Sequence, residues 1–447
     1  MDAHLLIVAF LYIFFSIVAI AVEMKNIQLM HRITIISMCR LMFVLSLGLI
    51  PVLLCIGQFV KPDNYGVIDF SDDAMWTFYV QFIFTVLCYC SLNFGYSIKQ
   101  RTYKEYKGLG GSKVFTTSLL CVCLGAVALY LWASAFGGID RLIKQAEWIR
   151  AGAILPTTPI AFFKHFVPLA MLSSYLLFNL LLRKEVHGLT KILTYILLAV
   201  SVVVSNVYIQ ASDGRLQLAS YVLVFFLVYF SYQHEEKKLP FKKLLLLFIP
   251  VLVIFTIILF NAETILHSLR GTESLGETTE SVGFWDRISD EFFFIIAGQQ
   301  GAIEGVFSGK TKLMIVNDVV NGLFAWLPTS MTPFKLQDVW SYNTQLITPG
   351  ATGTNPTTLV AQSVYDLGII GVLVVPFFYG MLVKKMERVL DSFPDSLFAK
   401  TVYVVLGFTL CRAIPYFALY SIMLDSFYVF VGVAIYYVLR KMRFGEK

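Results

Sequence analysis

Long apolar windows recur from one end of the chain to the other, separated by shorter polar segments. A helix needs about 20 mostly apolar residues to cross roughly 30 Å of hydrocarbon. Eleven windows reach that length, at residues 3–22, 33–57, 75–96, 114–136, 160–182, 189–209, 216–232, 244–262, 364–383, 398–417 and 424–439. The pattern predicts an all-α, polytopic transmembrane protein of about 11 to 12 helices.

The composition supports this prediction. Hydrophobic residues make up 57% of the 447 residues and charged residues only 14%, whereas about 25% of the residues in a soluble domain are charged. The first window follows no basic segment and precedes no small-residue cleavage site. We therefore expect it to remain as a helix and not to be removed as a signal peptide.

Lysine and arginine are concentrated in alternate short loops. Of the 35 basic residues, 21 lie in segments 23–32, 98–113, 183–191, 237–243, 384–388 and 440–447. Short cytoplasmic loops retain such residues, so we expect the N-terminus outside and the C-terminus in the cytoplasm. The net charge of +6 reflects this bias, and we see no basic tract that would indicate nucleic-acid binding.

The segment 263–356 is the only connection long enough to fold outside the bilayer. It carries ten acidic and five basic residues. Apolar residues recur at helical spacing over 285–300 and 312–326, which predicts two amphipathic helices on the membrane surface. The chain then divides into helices one to eight (1–262), a large outer loop (263–356), and helices nine to eleven with a basic tail (357–447).

The cysteines indicate packing, not chemistry. All seven fall inside apolar windows, and the members of the pairs Cys88/Cys90 and Cys121/Cys123 should point to different helix faces. We expect no disulfide framework. No cluster of metal ligands, phosphate-binding loop or nucleophile motif is visible, so we expect no cofactor. Energy would have to come from an activated substrate or a gradient.

Arginines on the expected outer face oppose the general charge bias. They are Arg141, Arg150, Arg215, Arg270, Arg287 and Arg412. A guanidinium keeps its charge and binds phosphate oxygens bidentately, so such a group suits a diphosphate on which negative charge accumulates. Solvated loop charges or lipid head-group contacts explain Arg141, Arg150 and Arg270 as well. Asp425 could simply neutralise Arg412, which lies inside an apolar window.

A general base would also have to lie outside, within reach of an acceptor hydroxyl. The candidates are His267, Asp213, Glu304 and Asp366, and spacing alone selects none of them. Arg40 lies inside a window near the cytoplasmic surface, where we expect its side chain to extend towards the head groups.

The architecture and one stretch of sequence resemble a known family. Thr354-Asn355-Pro356, followed by Gln362, Tyr365-Asp366-Leu367-Gly368 and Gly371 through Gly380, is similar to the Wzy-type oligosaccharide repeat-unit polymerases, and so is Gly214-Arg215 at the outer start of a helix. The resemblance covers the whole topology loosely and residues 354–380 more closely. The count of eleven helices departs from the twelve often described for that family.

The resemblance implies a GT-C-like, metal-independent glycosyltransferase at the outer face of the bacterial inner membrane. Donor and acceptor would both be glycans on undecaprenyl diphosphate, and transfer would invert the anomeric carbon. From the positions of these residues we expect catalytic roles for Arg215, Arg287, Arg412, Asp213 and Glu304. We expect substrate-binding roles for Arg141, Arg150, Arg270, His267, Trp285, Tyr365 and Asn355. Trp285, Trp326 and Trp340 could stack on sugar rings, although interfacial anchoring explains them too.

Other functions fit the same topology. An O-antigen ligase would share the donor but transfer the glycan to lipid A core. A lipid-linked oligosaccharide flippase or a scaffold for envelope assembly would carry out no transfer. Transporters generally show charges at the bilayer midplane, whereas here the charges sit at helix ends. A chain-length regulator and a flippase of the same pathway are the expected protein partners.

Overall fold

The computed structural model describes residues 2–30, 33–60, 67–100, 103–104, 110–150, 153–212, 215–237, 284–327, 331, 336–351, 354–393 and 396–442. Every regular element within these ranges is helical. The first half contains α1 (Asp2–Met30), α2 (Ile35–Val44), α3 (Ile50–Val60), α4 (Met75–Ser97), α5 (Gly111–Ser134), α6 (Ile139–Lys144), α7 (Ala146–Arg150), α8 (Leu169–Leu182), α9 (Gly188–Ala211) and α10 (Arg215–Lys237).

The second half contains α11 (Phe284–Phe307), α12 (Ile315–Leu323), α13 (Val339–Ile347), α14 (Leu359–Leu367), α15 (Gly371–Asp391), α16 (Leu397–Arg412) and α17 (Leu419–Lys441). Short irregular helices connect some of these elements. A π-helical turn (Leu45–Leu49) joins α2 to α3, and a 3-10 segment (Pro159–Phe166) leads into α8. A 3-10 turn (Gly368–Ile370) joins α14 to α15.

Nine helical segments in the described part of the chain are long and apolar enough to cross a membrane. They are Ala3–Leu29, Ile35–Val60, Asp72–Ser97, Gly111–Ser134, Pro159–Leu182, Gly188–Ala211, Leu216–Gln233, Leu359–Asp391 and Leu419–Lys441. Each overlaps one of the eleven predicted windows, so the prediction of a polytopic helical membrane protein is confirmed. The window at 244–262 lies outside the described residues.

The window at 398–417 is longer than the helix that it predicts. Helix α16 has 16 residues and ends at Arg412. Proline commonly follows a helix end because it cannot continue the helix, and Pro415 occupies that position here. Residues 413–418 therefore form a turn before α17, and we refer to them as the α16–α17 turn.

The chain folds into two compact units. Unit 1 comprises Met1–Thr102, Thr279–Arg388 and Gly407–Met423, and unit 2 comprises Tyr103–Thr278, Val389–Leu406 and Leu424–Lys447. The predicted division into 1–262, 263–356 and 357–447 follows membrane topology, whereas these units follow packing and are discontinuous in sequence.

In unit 1, one face of α1 is buried along its whole length. Leu5, Tyr12 and Glu23 on this face are at most 2% exposed, and their spacing places them on one helical stripe. The stripe packs against α2, α3 and α4. The opposite face remains apolar and exposed, with Phe10 and Ile17 each more than 60% exposed, as expected for a face that contacts lipid.

Arg40 extends into the protein, which corrects the expectation that it reaches the head groups. Its Nη1 lies 2.8 Å from Glu23 Oε2, and its Nε donates to Asn93 Oδ1 at 2.6 Å. The guanidinium also lies over the Tyr96 ring, 5.7 Å from its centroid. The reason is the buried Glu23 carboxylate, because a buried charge needs a paired counter-ion.

Helices α4 and α15 approach each other backbone to backbone. A side chain at Gly95 would collide with the backbone of Phe377, and one at Gly380 would collide with the carbonyl of Leu92. Small residues permit this approach in membrane helices, where close packing replaces the hydrophobic driving force.

Helix α11 differs from the amphipathic surface helix that the sequence predicts. Seven consecutive residues, 294–300, are buried, so the middle of the helix is covered on all sides. It packs against α3, α4, α13 and α14. The prediction assigned α11 one apolar face only, but Ala297, Gly298 and Gly301 let neighbouring helices cover the other faces.

Unit 2 is built around α5, α8 and α9. The Ser173 hydroxyl donates to Ser118 O at 2.9 Å and lies 3.1 Å from the Ser201 hydroxyl, which ties the three helices together inside the core. Gly125 of α5 packs against the backbone of α8 at Ala170.

The seven cysteines are all free and all lie in helices. Cys88 and Cys121 are buried, whereas Cys90 and Cys123 are exposed. The predicted separation of each close pair onto two helix faces is confirmed.

Candidate functional site

The α16–α17 turn is the point in unit 1 on which the long loop converges. Its backbone pairs with the residues that begin α14. Leu359 N donates to Ile414 O at 2.8 Å, and Phe417 N donates to Thr357 O at 2.6 Å. The Thr357 hydroxyl in turn donates a hydrogen bond of 2.6 Å to Phe417 O. These contacts fix the residues that directly follow Arg412.

Two tryptophans of the long loop reach the same region. Trp340 Nε1 donates to Phe417 O at 3.1 Å, and Trp326 Nε1 donates to Met423 O at 2.8 Å. Both indole N–H groups therefore bind backbone, and both side chains are half-buried. The Phe294 ring of α11 lies 5.2 Å from the Tyr416 ring in the turn.

Asp318 of α12 caps the start of α17. Its two carboxylate oxygens lie 3.1 and 3.3 Å from Leu419 N, which donates to them, and the side chain is only 5% exposed. Burial, together with the nearby charge of Asp338, raises the pKa of Asp318 to about 6, although the backbone N–H groups of Leu419 and Tyr420 oppose the shift. A carboxylate at a helix N-terminus is favourable because the first N–H groups have no partner within the helix.

Asn343 of α13 organises the residues around α14. Its amide nitrogen donates to Asn355 O at 3.1 Å and to Pro356 O at 3.3 Å, and its Oδ1 accepts from the Tyr365 hydroxyl at 2.9 Å. Asn355 N donates in turn to Thr344 Oγ1. The structure thus brings Asn355 and Tyr365, two of the predicted substrate-binding residues, onto one side chain. Tyr365 is completely buried.

Asp366, one of the candidate bases, is buried in the same region. It is 1% exposed, and its Oδ1 accepts from Gln362 Nε2 at 3.0 Å. Thr357 Oγ1 lies 2.8 Å from Gln362 Oε1. Asp366 is therefore part of a polar chain that begins at the α16–α17 turn.

Glu304 lies on α11, one turn beyond Gln300. Gln300 pairs with the backbone of Asp69, accepting from Asp69 N at 3.1 Å and donating to Asp69 O at 3.0 Å. Glu304 is exposed. Partial burial raises its pKa, and the charge of Asp69 raises it further, against a hydrogen bond from Gln300 that lowers it.

Helix length separates two of the predicted catalytic residues. Arg287 and Glu304 are 17 residues apart on α11, which is about 25 Å along a straight helix. Similarly, the ten residues from Phe294 to Glu304 span about 15 Å along α11, so Glu304 lies about three helical turns from Phe294, which contacts the turn. One sugar transfer involves atoms only a few ångströms apart, so Glu304 and Arg287 would have to serve different steps.

Arg412 and Trp285 are the other predicted site residues in unit 1. Arg412 is the last residue of α16 and is half-buried, and Trp285, near the start of α11, is also half-buried. The side chain of Arg287 lies outside the described part of the chain.

The remaining predicted site residues belong to unit 2. Arg141 and Arg150 are exposed on α6 and α7, and Arg141 Nε donates to Gln145 at 3.1 Å. Arg215 is the first residue of α10. Its side chain, together with Asp213, His267 and Arg270, lies outside the described residues.

Several segments that the sequence predicts to share a side of the membrane contact one another. Asp69 from the expected outer loop 58–74 contacts the long loop, and so does Leu419 at the expected outer end of α17. At the expected inner ends, the Tyr96 hydroxyl donates to Glu387 Oε2 at 3.2 Å, and Gln100 Nε2 donates to Met381 O at 2.9 Å. Segments predicted to share a side of the membrane therefore meet one another.

Asp318, Asn343 and Thr357 are the site residues that the sequence did not reveal. Asp318 lies opposite the apolar stripe of an amphipathic helix, where water is the usual neighbour. Its burial depends on the contact with Leu419, which lies about a hundred residues away in the chain, and so could not be predicted from the pattern of α12 alone. The pairing of Glu23 with Arg40 was likewise missed.

No candidate metal site is found among the described residues. Among the residues that the structure describes, no three His, Cys, Asp or Glu side chains are grouped so that they could hold a metal ion. Comparisons with protein-family models, with curated proteins and with solved structures found no match.

Proposed function

We propose that the chain is a glycosyltransferase that polymerises undecaprenyl-diphosphate-linked oligosaccharide repeat units at the outer face of a bacterial inner membrane. The observation that carries the proposal is the α16–α17 turn. Trp340 of the long loop and Thr357 just after it bind the backbone of this turn at Phe417, and Asp318 binds Leu419 N, the residue that directly follows the turn. This leaves Arg412 at the end of α16, beside a backbone that is held in place.

The reaction requires a positive charge at a fixed position. The acceptor sugar hydroxyl would attack the anomeric carbon of the donor, and the bond from that carbon to the diphosphate oxygen would break. The hydroxyl proton passes to a base, and undecaprenyl diphosphate leaves with increased negative charge. A guanidinium that is already in place stabilises this charge without reorganisation, which is the most effective form of electrostatic catalysis. Arg412 is the described side chain in unit 1 that supplies it.

Glu304 is the best placed of the described candidate bases to exchange a proton. It is exposed, and its raised pKa brings it nearer to neutrality, as general base catalysis favours. Because ten residues of α11 separate it from Phe294, which contacts the α16–α17 turn, we assign Glu304 to binding the acceptor glycan, and the base of the step that Arg412 assists stays unassigned. Arg215, Arg287, Arg141, Arg150 and Arg270 stay predictions from the sequence.

Deletion and complementation test the proposal. We expect cells without the gene to carry surface glycan of a single repeat, and the wild-type gene to restore a ladder of lengths. Arg412→Ala should leave a single repeat with normal protein levels. Lys191→Ala, which removes an exposed cation from α9, is the control and should restore the ladder. Arg215→Ala is predicted to behave like Arg412→Ala.

Other outcomes would identify other functions. Loss of all attached glycan on deletion would indicate a ligase, and lipid-linked units trapped inside the cell would indicate a flippase. A full ladder from Arg412→Ala would remove Arg412 from the site. Arg412→Lys distinguishes a bidentate grip from charge alone, because lysine keeps the charge but not the planar fork.

A further inference from the structure

Helix α12 is packed in the opposite sense to a helix on the surface of a soluble protein. Its inward face carries Asp318 and Gly322, and both are buried against the start of α17 at Leu419. Its outward face carries Val316 and Leu323, which are 65% and 70% exposed. A helix in water would turn the carboxylate outwards and the aliphatic side chains inwards.

The outward face extends beyond α12 itself. Leu313 before the helix and Leu327 after it are exposed, and Leu313 packs beside Gly368. Ile369 and Ile370 follow Gly368 directly, and they are 49% and 69% exposed. We call these six side chains the α12 patch: Leu313, Val316, Leu323, Leu327, Ile369 and Ile370.

The patch is continuous with a membrane-spanning surface. Ile369 and Ile370 belong to the span Leu359–Asp391, and further along it Leu373 and Phe378 are 50% and 61% exposed. The exposed apolar row of this span therefore adjoins the α12 patch at Leu313, which lies beside Gly368. A contiguous exposed apolar patch on a protein surface indicates contact with lipid or with the apolar surface of a partner.

The flanks of α12 suit the boundary between water and lipid. Lys310 and Lys312 are exposed just before the helix begins. Asn317 and Asn321 on one side donate to the backbone of residues 337 and 336. Lysines beside an apolar helix face can reach lipid phosphates while the face itself enters the acyl region.

We propose that the α12 patch is inserted into the acyl region of the bilayer leaflet that borders the long loop. Its occupant is bulk phospholipid. The buried Asp318 links this inserted helix to α17, so α12 anchors the long loop both to the membrane and to the α16–α17 turn. The inference does not depend on the reaction that the protein catalyses.

Fluorescence quenching in nanodiscs tests the position of the patch. The full-length protein would carry an encoded fluorescent amino acid at position 316 or 323, and brominated phospholipids would serve as the quencher. Position 373 on α15 is the lipid-exposed control, and position 345, an exposed residue of α13, is the control for water. We expect quenching at 316 and 323 within about twofold of that at 373 and at least about threefold that at 345.

Two results would overturn the proposal. Quenching at 316 and 323 by aqueous iodide, but not by brominated lipid, would place the patch in water. Quenching by neither would show that protein covers it, either a second copy or another partner. A membrane-soluble diazirine label on the unmodified protein gives a second measurement that needs no substitution. We expect labelling of the peptide 313–327, and its absence would contradict insertion.

Discussion

The Tyr365 hydroxyl donates a hydrogen bond of 2.9 Å to Asn343 Oδ1, and neither side chain has any exposed surface. The other end of the same amide donates to the backbone oxygens of Asn355 and Pro356. A single buried amide on α13 therefore fixes both α14 and the segment that leads into it. Removing this amide should destabilise the protein, because the Tyr365 hydroxyl would stay buried without its partner.

Asn343→Leu should destabilise the protein strongly, because it leaves the Tyr365 hydroxyl and two backbone oxygens without this partner. Each buried unpaired group costs about 1 to 3 kcal/mol. Tyr365→Phe removes one bond only and should cost less. Thermal unfolding of the purified protein in detergent measures both. If Tyr365 acts only through packing, Tyr365→Phe keeps its activity. Loss of activity at an unchanged melting temperature would support the predicted role in substrate binding.

The raised pKa of Asp318 predicts that the stability of the folded protein depends on pH. Its pKa in the folded protein, about 6, is above the ordinary value of 3.8, so the folded state binds the proton more tightly than the unfolded state. The resulting stabilisation is complete below about pH 4 and is lost as pH rises through about 6. A pKa shift of about two units corresponds to a change of at most roughly 3 kcal/mol in the free energy of unfolding. We expect the melting temperature to fall between pH 4.5 and 7.

Asp318→Asn should remove most of the fall in melting temperature with pH, because the amide is neutral throughout this range and its oxygen can still accept a hydrogen bond from Leu419 N. Asp338→Asn is the matched control. It removes the like charge near Asp318 but can still cap α13 at Ser341, and so should move the midpoint to lower pH. Asp366 also interacts electrostatically with Asp318. An unaltered slope in Asp318→Asn would assign the pH dependence to another group.

The close approach of α4 and α15 predicts the effect of side chains at two glycines. Gly95→Val and Gly380→Val should each prevent stable folding, because the new side chain meets backbone that cannot move independently. Gly110→Ala is the control, since nothing lies within 4 Å of its added Cβ. Yield of monodisperse protein and the melting temperature are the measurements. Wild-type behaviour of both valine variants would mean that the two helices do not pack in this way.

The Glu23–Arg40 pair predicts a non-additive double-mutant cycle. Removing one partner of a buried pair leaves an uncompensated charge and costs about 3 to 5 kcal/mol. Glu23→Gln and Arg40→Gln should therefore each be strongly destabilising, and the double variant should be more stable than the sum of the two losses implies. Additive losses would indicate that the charges do not interact.

The positions of most helices could be predicted from the sequence because a lipid environment requires apolar segments to be helical. Every backbone polar group inside a bilayer must be paired within its own segment, so each apolar window has to be helical. The end of α16 at Arg412 was missed, since the residues after it remain apolar and only Pro415 signals the turn.

The candidate site was harder to predict because its partners are distant in the chain. Asp318 meets Leu419, and Asn343 meets Tyr365, through contacts that no spacing rule encodes. Glu304 and Arg287 were both predicted to be catalytic residues, yet a continuous helix separates them by about 25 Å. In α11, small residues at 297, 298 and 301 indicated close packing, which the apolar periodicity alone did not.

The most direct measurement is polymerisation by the purified protein. Proteoliposomes that contain only this chain would receive repeat units on undecaprenyl diphosphate, and the products would be resolved by length. We predict glycans of two or more repeats and the release of one undecaprenyl diphosphate for each linkage formed, with both lost in Arg412→Ala. Wild-type proteoliposomes that release no undecaprenyl diphosphate and form no longer glycan would contradict the proposed function.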